Sequence, residues 1–207
     1  MVKNLYSLKS IKSLLFSIVL IISCTGNNAI NPIREITVEN FPNDVGDEWK
    51  YFYYDSLSSY SDTVTVRIIG DTIFDGNRTA KIWEYTYKNR VEYHYAETVN
   101  DTVRIFNNLQ SLWTSTKFIF PLKVGNGWRG DFLSDTSFVE RKEPILVLAG
   151  YFAECYFINE SWGALNDYGR VLTWLVPGIG IVKKHHRGWS FGMANNYWEL
   201  LEYKIKF

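Results

Sequence analysis

Methionine and cysteine are nearly missing from this 207-residue chain, with two of each, and proline occurs five times. Two cysteines cannot build the disulfide framework of a small secreted scaffold. Five prolines and 14 glycines are too few for a collagenous or low-complexity chain. Net charge is absent too. The 22 basic side chains balance 22 acidic ones, so no excess of one sign is available to hold nucleic acid. Only three histidines occur, and none stands at HxxH or HxxxH spacing. A zinc site needs three or four converging ligands, so neither a metal nor a cofactor is expected. What the chain does have is aromatic: 8 Trp, 14 Tyr and 13 Phe, within 46% apolar and 21% charged residues. That balance is globular rather than disordered. Aromatic and β-branched residues favour strands, so the composition points to an all-β protein and away from helical bundles.

The first 24 residues read as an address. Residues 1–23 carry Lys3, Lys9 and Lys12 and no acid, and an apolar stretch of about nine residues runs from Leu14 to Ile22 before Ser23 and Cys24. A basic start, a short apolar core and a small residue before the cut make a secretory signal peptide. A spanning helix would need roughly 20 apolar residues. Ile21-Ile22-Ser23-Cys24 resembles the lipobox of bacterial lipoproteins: a branched apolar residue, a tolerant position, a small residue, then cysteine. Thiolate is the strongest side-chain nucleophile. The resemblance implies that Cys24 accepts a diacylglyceryl group, that cleavage falls between Ser23 and Cys24, and that the new amino terminus is acylated. Each buried methylene contributes about 0.8 kcal/mol, so two or three acyl chains, palmitate among them, hold far more firmly than one. The inner-membrane retention signal of enteric bacteria resembles Asp after that cysteine. Thr25 stands there instead, which points to the outer membrane.

Loss of residues 1–23 removes three lysines and leaves 19 basic against 22 acidic side chains, a formal charge of −3. Residues 24–40 are small, polar and Asn-rich, with Pro32, and read as a flexible lipidated tether. A single domain is expected over 41–207.

That domain contains one internal repeat. Phe41-Pro42-Asn43-Asp44-Val45-Gly46-Asp47-Glu48-Trp49-Lys50 and Phe120-Pro121-Leu122-Lys123-Val124-Gly125-Asn126-Gly127-Trp128-Arg129 share F-P-x-x-V-G-x-x-W-[KR] at an offset of 79 residues. The pattern reads as a lead-in to a strand. Pro42 and Pro121 end the preceding run, Gly46 and Gly125 permit a turn, and Trp49 and Trp128 are the first large residues of the strand. Two related halves, 41–119 and 120–207, follow from the repeat and imply duplication. Two copies are too few for a solenoid or propeller, which need at least about three. The opening also resembles that of β-rich envelope lipoproteins. This looser resemblance spans 41–207 and implies no activity.

Alternation of period two runs through the body, as in half-buried strands. Trp49, Tyr51 and Tyr53 share a face, as do Val64, Val66 and Ile68, and Trp83, Tyr85 and Tyr87. Val91, Tyr93 and Tyr95 are set against Glu92, His94 and Ala96. Turn signals such as Asp75-Gly76-Asn77 and Pro177-Gly178 separate the runs and imply antiparallel hairpins. The expected fold is an antiparallel sheet system, sandwich or open barrel, of about ten to twelve strands. Residues 159–170 and 188–196 read as longer loops.

Catalytic signals are weak. Gly125-Asn126-Gly127-Trp128-Arg129-Gly130 spells G-x-G-x-x-G, but the helix that a dinucleotide site requires does not follow. Lys183-Lys184-His185-His186-Arg187 is the one basic run. In a strand its members alternate faces, and it reads as a solvated edge with lysines that block pairing. Cys155 sits in a strand-like run as a buried, inert thiol with no base signalled beside it. The acids Glu140 and Glu143, or Asp131 and Asp135, carry no glycosidase signature. Core filling accounts for most aromatics; Phe52 and Tyr54, opposite Trp49, Tyr51 and Tyr53, are the best surplus. Asp55-Ser56-Leu57, Asp62-Thr63-Val64, Asp71-Thr72-Ile73 and Asp101-Thr102-Val103 resemble the O-glycosylation motif of secreted Bacteroidetes proteins, yet Asp-Thr-Val is also a natural step from turn to strand. The expected function is a non-catalytic, lipid-anchored binding or scaffold module of the cell envelope. It would meet the membrane through its anchor, and a glycan, a lipid or another envelope protein through its body, with no nucleic acid. A lipid or lipoprotein chaperone with an apolar cavity is the alternative, and an envelope hydrolase comes third.

Overall fold

The structure, a computed structural model, describes residues 37–110, 114–130, 135–164, 167–189 and 194–206, all within the compact unit Glu35–Phe207. Ser23 and Cys24, the signal peptide and most of the tether lie outside the described residues. A 3-10 turn at Val38–Asn40 precedes the first strand.

Six strands form the first half: β1 (Glu48–Asp55), β2 (Tyr60–Phe74), β3 (Arg78–Thr86), β4 (Val91–Val99), β5 (Thr102–Phe106) and β6 (Thr114–Ile119). Six form the second: β7 (Gly127–Arg129), β8 (Thr136–Val147), β9 (Gly150–Ala164), β10 (Asp167–Val176), β11 (Gly180–Trp189) and β12 (Ala194–Lys204). Each half is an antiparallel meander, and β1 pairs with β12, giving one sheet in the order β6-β5-β4-β3-β2-β1-β12-β11-β10-β9-β8-β7. The two ends of that order meet. Trp128 Nε1 donates to the Lys117 carbonyl at 3.0 Å, and Lys117 Nζ donates to the Arg129 carbonyl at 3.2 Å. The all-β antiparallel expectation therefore holds, as a nearly closed barrel rather than a sandwich. At the seam, side chains stand in for a backbone ladder because β7 is only three residues long.

Both copies of the F-P-x-x-V-G-x-x-W motif make the same turn. Gly46 and Gly125 have φ of +98° and +92°, a region that suits glycine. Asp47 N donates to Asp44 O at 2.9 Å, and Asn126 N to Lys123 O at 3.0 Å. Each turn then clasps a fully buried residue of the strand paired with the one it opens, β2 or β8. Gly46 N donates to Ile68 O and Ile68 N to Asp47 O; Gly125 N donates to Val139 O and Val139 N to Asn126 O. A bulge follows each clasped residue, between Ile68 and Gly70 and between Val139 and Arg141. Trp49 and Trp128 are each the second residue of a strand. Trp49 is 2% exposed, whereas Trp128, at the seam, is half-buried.

These turns lie at one end of the barrel, and that end is filled. Phe41 packs on Trp83, Phe118 and Phe120 with ring centroids 5.8–6.1 Å apart, and Trp49 stacks on Trp83 at 5.3 Å. Val64, Val66 and Ile68, which the alternation sets on one face, are all buried; Ile68 sits under the turn and Val66 lines the space beyond the plug. Burying large aromatic and branched side chains contributes about 1.5–3 kcal/mol each, so this plug contributes substantially to stability.

Two local expectations are corrected. On β4 the faces are exchanged: Val91 and Tyr93 are 48% and 45% exposed, while His94 and Ala96 point inward. The cause is register. Trp83 points inward and lies directly opposite His94, so both share the inner face, and a one-residue difference in pairing reverses a whole strand. Residues 159–170 and 188–196 are mostly strand, because β9 continues to Ala164, β10 starts at Asp167, β11 runs to Trp189 and β12 starts at Ala194. Polar residues on the inner face hide the alternation there.

Candidate functional site

Along several strands the inward residues change character away from the plug. Val103 and Ile105 lead to Asn107 beyond β5, and on β6 Phe118 leads to Thr116. Val139 leads back through Ser137 on β8 to Asp135, and Ile158 leads to Glu160 on β9. Val182 leads to Lys184 and His186 on β11, and Leu200 leads to Trp198 and Asn196 on β12. The antiparallel register puts all these polar groups toward the same end. There the barrel holds a cavity of about 550 Å³ that opens to the surface, within the usual size range for small-molecule sites.

The cavity has two kinds of wall. One is aromatic and contiguous over β12, β1 and β3, with Trp198 at its centre. Ring centroids of Tyr51, Tyr53, Tyr85 and Tyr87 lie 4.8–6.2 Å from Trp198, all in edge-on arrangements. Tyr51 Oη donates to Ile181 O at 2.7 Å, which holds its ring in place. Trp198 Nε1 donates to Asn196 Oδ1 at 3.1 Å. The other wall, from β4 round to β11, carries His94, Asn107, Thr116, Asp135, Glu160, Lys184 and His186. Trp162 leans over Gly169 of β10, where an added Cβ would collide with the indole ring, so this glycine makes room for the tryptophan.

Burial sets the electrostatics of the polar wall. It pushes the Glu160 carboxyl up to about 7, with Lys184 opposing the shift and Asp135 adding to it. It also holds the Lys184 ammonium below the ordinary lysine value, against the pull of Glu160. His94 and His186 are pushed down to about 4, first by burial and then by the charge on Lys184, so both are neutral imidazoles near pH 7. Among the described residues neither Lys184 nor Glu160 has a hydrogen-bond or ion-pair partner.

The residues singled out in the sequence fall in different places. Phe41, Pro42, Gly46, Trp49, Phe120, Pro121 and Gly125 lie at the plugged end and Trp128 at the seam, away from the cavity. The G-x-G-x-x-G run is a turn followed by β7. Cys155 is fully buried and does not line the cavity, and burial pushes its thiol up to about 12. The basic run alternates faces as expected, but the solvated-edge reading fails: β11 is paired on both sides, and Lys184 and His186 point into the barrel. Glu140 and Glu143 are tied to Arg141 on the outer surface, and Asp131 lies outside the described residues. Phe52 is 40% exposed, and Tyr54 stacks on Tyr197 at 6.5 Å, which in turn stacks on His185 at 3.9 Å, forming an outer aromatic strip. Sequence reasoning misses Glu160, Trp162 and Trp198. Their signal is present in part, because Ile158, Glu160 and Trp162 keep period two. Among the described residues no three His, Cys, Asp or Glu side chains converge as a metal cluster.

No protein-family model and no curated protein matches the chain. Two solved structures are similar over most of the chain. One is a presumed lipoprotein from Parabacteroides distasonis, at 14% identity and a TM-score of 0.47, with 82% of this chain and 99% of that one covered. The other is a presumed exported protein with a YmcC-like fold from Bacteroides fragilis, at 13% identity and a TM-score of 0.44, with the same coverage.

Proposed function

We propose that this protein is a lipid-anchored binding protein of the cell envelope that holds a small ligand inside its barrel without transforming it. The observation that carries this reading is the polar lining of the unplugged end. A barrel that served only as a scaffold would fill both ends alike. Here most strands carry a polar inward residue where the same strand is apolar one or two positions nearer the plug. Buried polar groups cost stability unless they are satisfied, so their concentration around one cavity fits a bound partner. The lipobox at Ser23-Cys24 supports attachment to the membrane, and Thr25 supports the outer membrane as its place.

Absence of catalysis rests on the nucleophiles. Cys155 is neutral and sealed away from the cavity. One observation favours the hydrolase reading, namely that Glu160 titrates near 7 in the same cavity as Asp135, which suits a general acid. Turnover of a bound compound, abolished in Glu160→Gln, would establish that reading instead. The ligand-holding reading is tested by native mass spectrometry of the full chain gently extracted from membranes. A non-covalent adduct is expected, and it should vanish in Val171→Trp, where the larger side chain fills the cavity. No adduct, or the same adduct in a folded Val171→Trp variant, would contradict it.

A further inference from the structure

What the cavity walls would leave unsatisfied decides between ligand classes. Lys184 and Glu160 face the cavity with no hydrogen bond or close ion pair among the described residues, and His94, His186 and Tyr85 line it beside them. An acyl tail drawn into this space would displace water from all five and replace none of their hydrogen bonds. Each unmatched buried group costs about 1–3 kcal/mol, so the total would rival the gain from burying the tail. A small inorganic anion would satisfy Lys184 but leave the Trp198 wall bare. A molecule with hydroxyls at its edge and C–H groups on its faces meets both walls. Hydroxyls donate and accept, which suits a cation that only donates, a carboxyl that accepts and, when protonated, also donates, and neutral imidazoles that do one of each. The C–H faces carry slight positive charge and rest well against the electron-rich faces of tyrosine and tryptophan rings.

We propose that the cavity is a saccharide site, in which Lys184 donates to and Glu160 accepts from sugar hydroxyls while the wall around Trp198 packs against the ring. The proposal rests on the reading that the cavity holds a ligand, and it excludes the apolar chaperone role. Gly169 belongs to the same design: it lets Trp162 lean across β10 beside His186, with ring centroids 5.4 Å apart, adding an aromatic face on the polar side.

The test uses the full chain in zwitterionic, sugar-free micelles. Tryptophan fluorescence follows titration with a panel of neutral and uronic-acid oligosaccharides and, separately, with palmitate. At least one oligosaccharide should bind saturably. Lys184→Met and Glu160→Gln should each weaken it roughly ten- to hundredfold, the usual loss for a hydrogen bond to a charged group. Ligand-free thermal midpoints of both variants, measured alongside, should not fall. Unchanged saccharide affinity in both variants overturns the proposal, as does failure of every oligosaccharide to bind. If palmitate alone binds, the saccharide proposal falls and the ligand-holding reading stands. If neither binds and no adduct accompanies the native chain, both fall.

Discussion

Replacing Glu160 by Gln should change how stability depends on pH, by an amount the site itself sets. The carboxyl titrates at about 7 in the folded barrel against 4.5 for the ordinary group, because burial penalises its charge. Between those values the folded state holds a proton that the unfolded state has released. A raised carboxyl therefore leaves stability intact below 4.5 and removes it as pH rises through 7. A tenfold difference in proton affinity between the folded and unfolded states corresponds to about 1.4 kcal/mol, so between pH 5 and pH 8 this one group should cost the wild-type protein about 2–3 kcal/mol. Glutamine has no proton to lose there. Urea unfolding of both proteins at pH 5 and pH 8 gives the difference directly. His94 and His186, held at about 4, weaken the fold as pH falls from 6.5, but they do so in both proteins and cancel in the comparison. Glu160→Gln should gain on wild type by about 2–3 kcal/mol from pH 5 to pH 8. Parallel pH profiles would refute the claim that Glu160 sits in a desolvated interior.

Three further outcomes follow from the same geometry. Trp49→Leu should cost about 3–5 kcal/mol in urea unfolding, because it empties the plug beside Trp83 and removes the 2.6 Å bond to Ile179 O, whereas Phe52→Ala on the outer face should change little. Cys155 should not react with a thiol reagent in the folded protein at pH 8, since it is sealed and neutral; after denaturation one thiol should appear per chain if Cys24 carries lipid on its sulfur and two if it does not. Cys24→Ala should release the protein from membranes or stall its processing, as read by fractionation and by the mass of the amino-terminal peptide.

Legibility in the sequence follows burial. Val64, Val66 and Ile68, or Trp83, Tyr85 and Tyr87, are readable because one face of each strand is apolar or aromatic throughout, so period two shows. The paired motifs at Phe41 and Phe120 are readable because a turn with positive φ, a clasped β-residue and a buried ring all constrain residue type. The inner face fails to show where it turns polar. Lys184 and His186 look like solvent-facing residues, since charge inside a barrel is unfavourable unless a ligand or partner answers it. Val91 and Tyr93 look inward for the opposite reason: they are apolar yet exposed, and only the pairing of His94 with Trp83 shows which face of β4 is which. Closure through Trp128 depends on a contact between β6 and β7, which local sequence does not encode.

The central claim is that a ligand occupies the unplugged end of the barrel. Indole resonances of the full chain, recorded by ¹⁵N-labelled NMR during titration with the tightest oligosaccharide, test it most directly. The indole signals of Trp83, Trp162 and Trp198, which line the cavity, should shift and saturate together, while Trp128 at the seam and Trp174 on the outer face stay put. Shifts confined to Trp128 and Trp174, or none at all, would contradict the account.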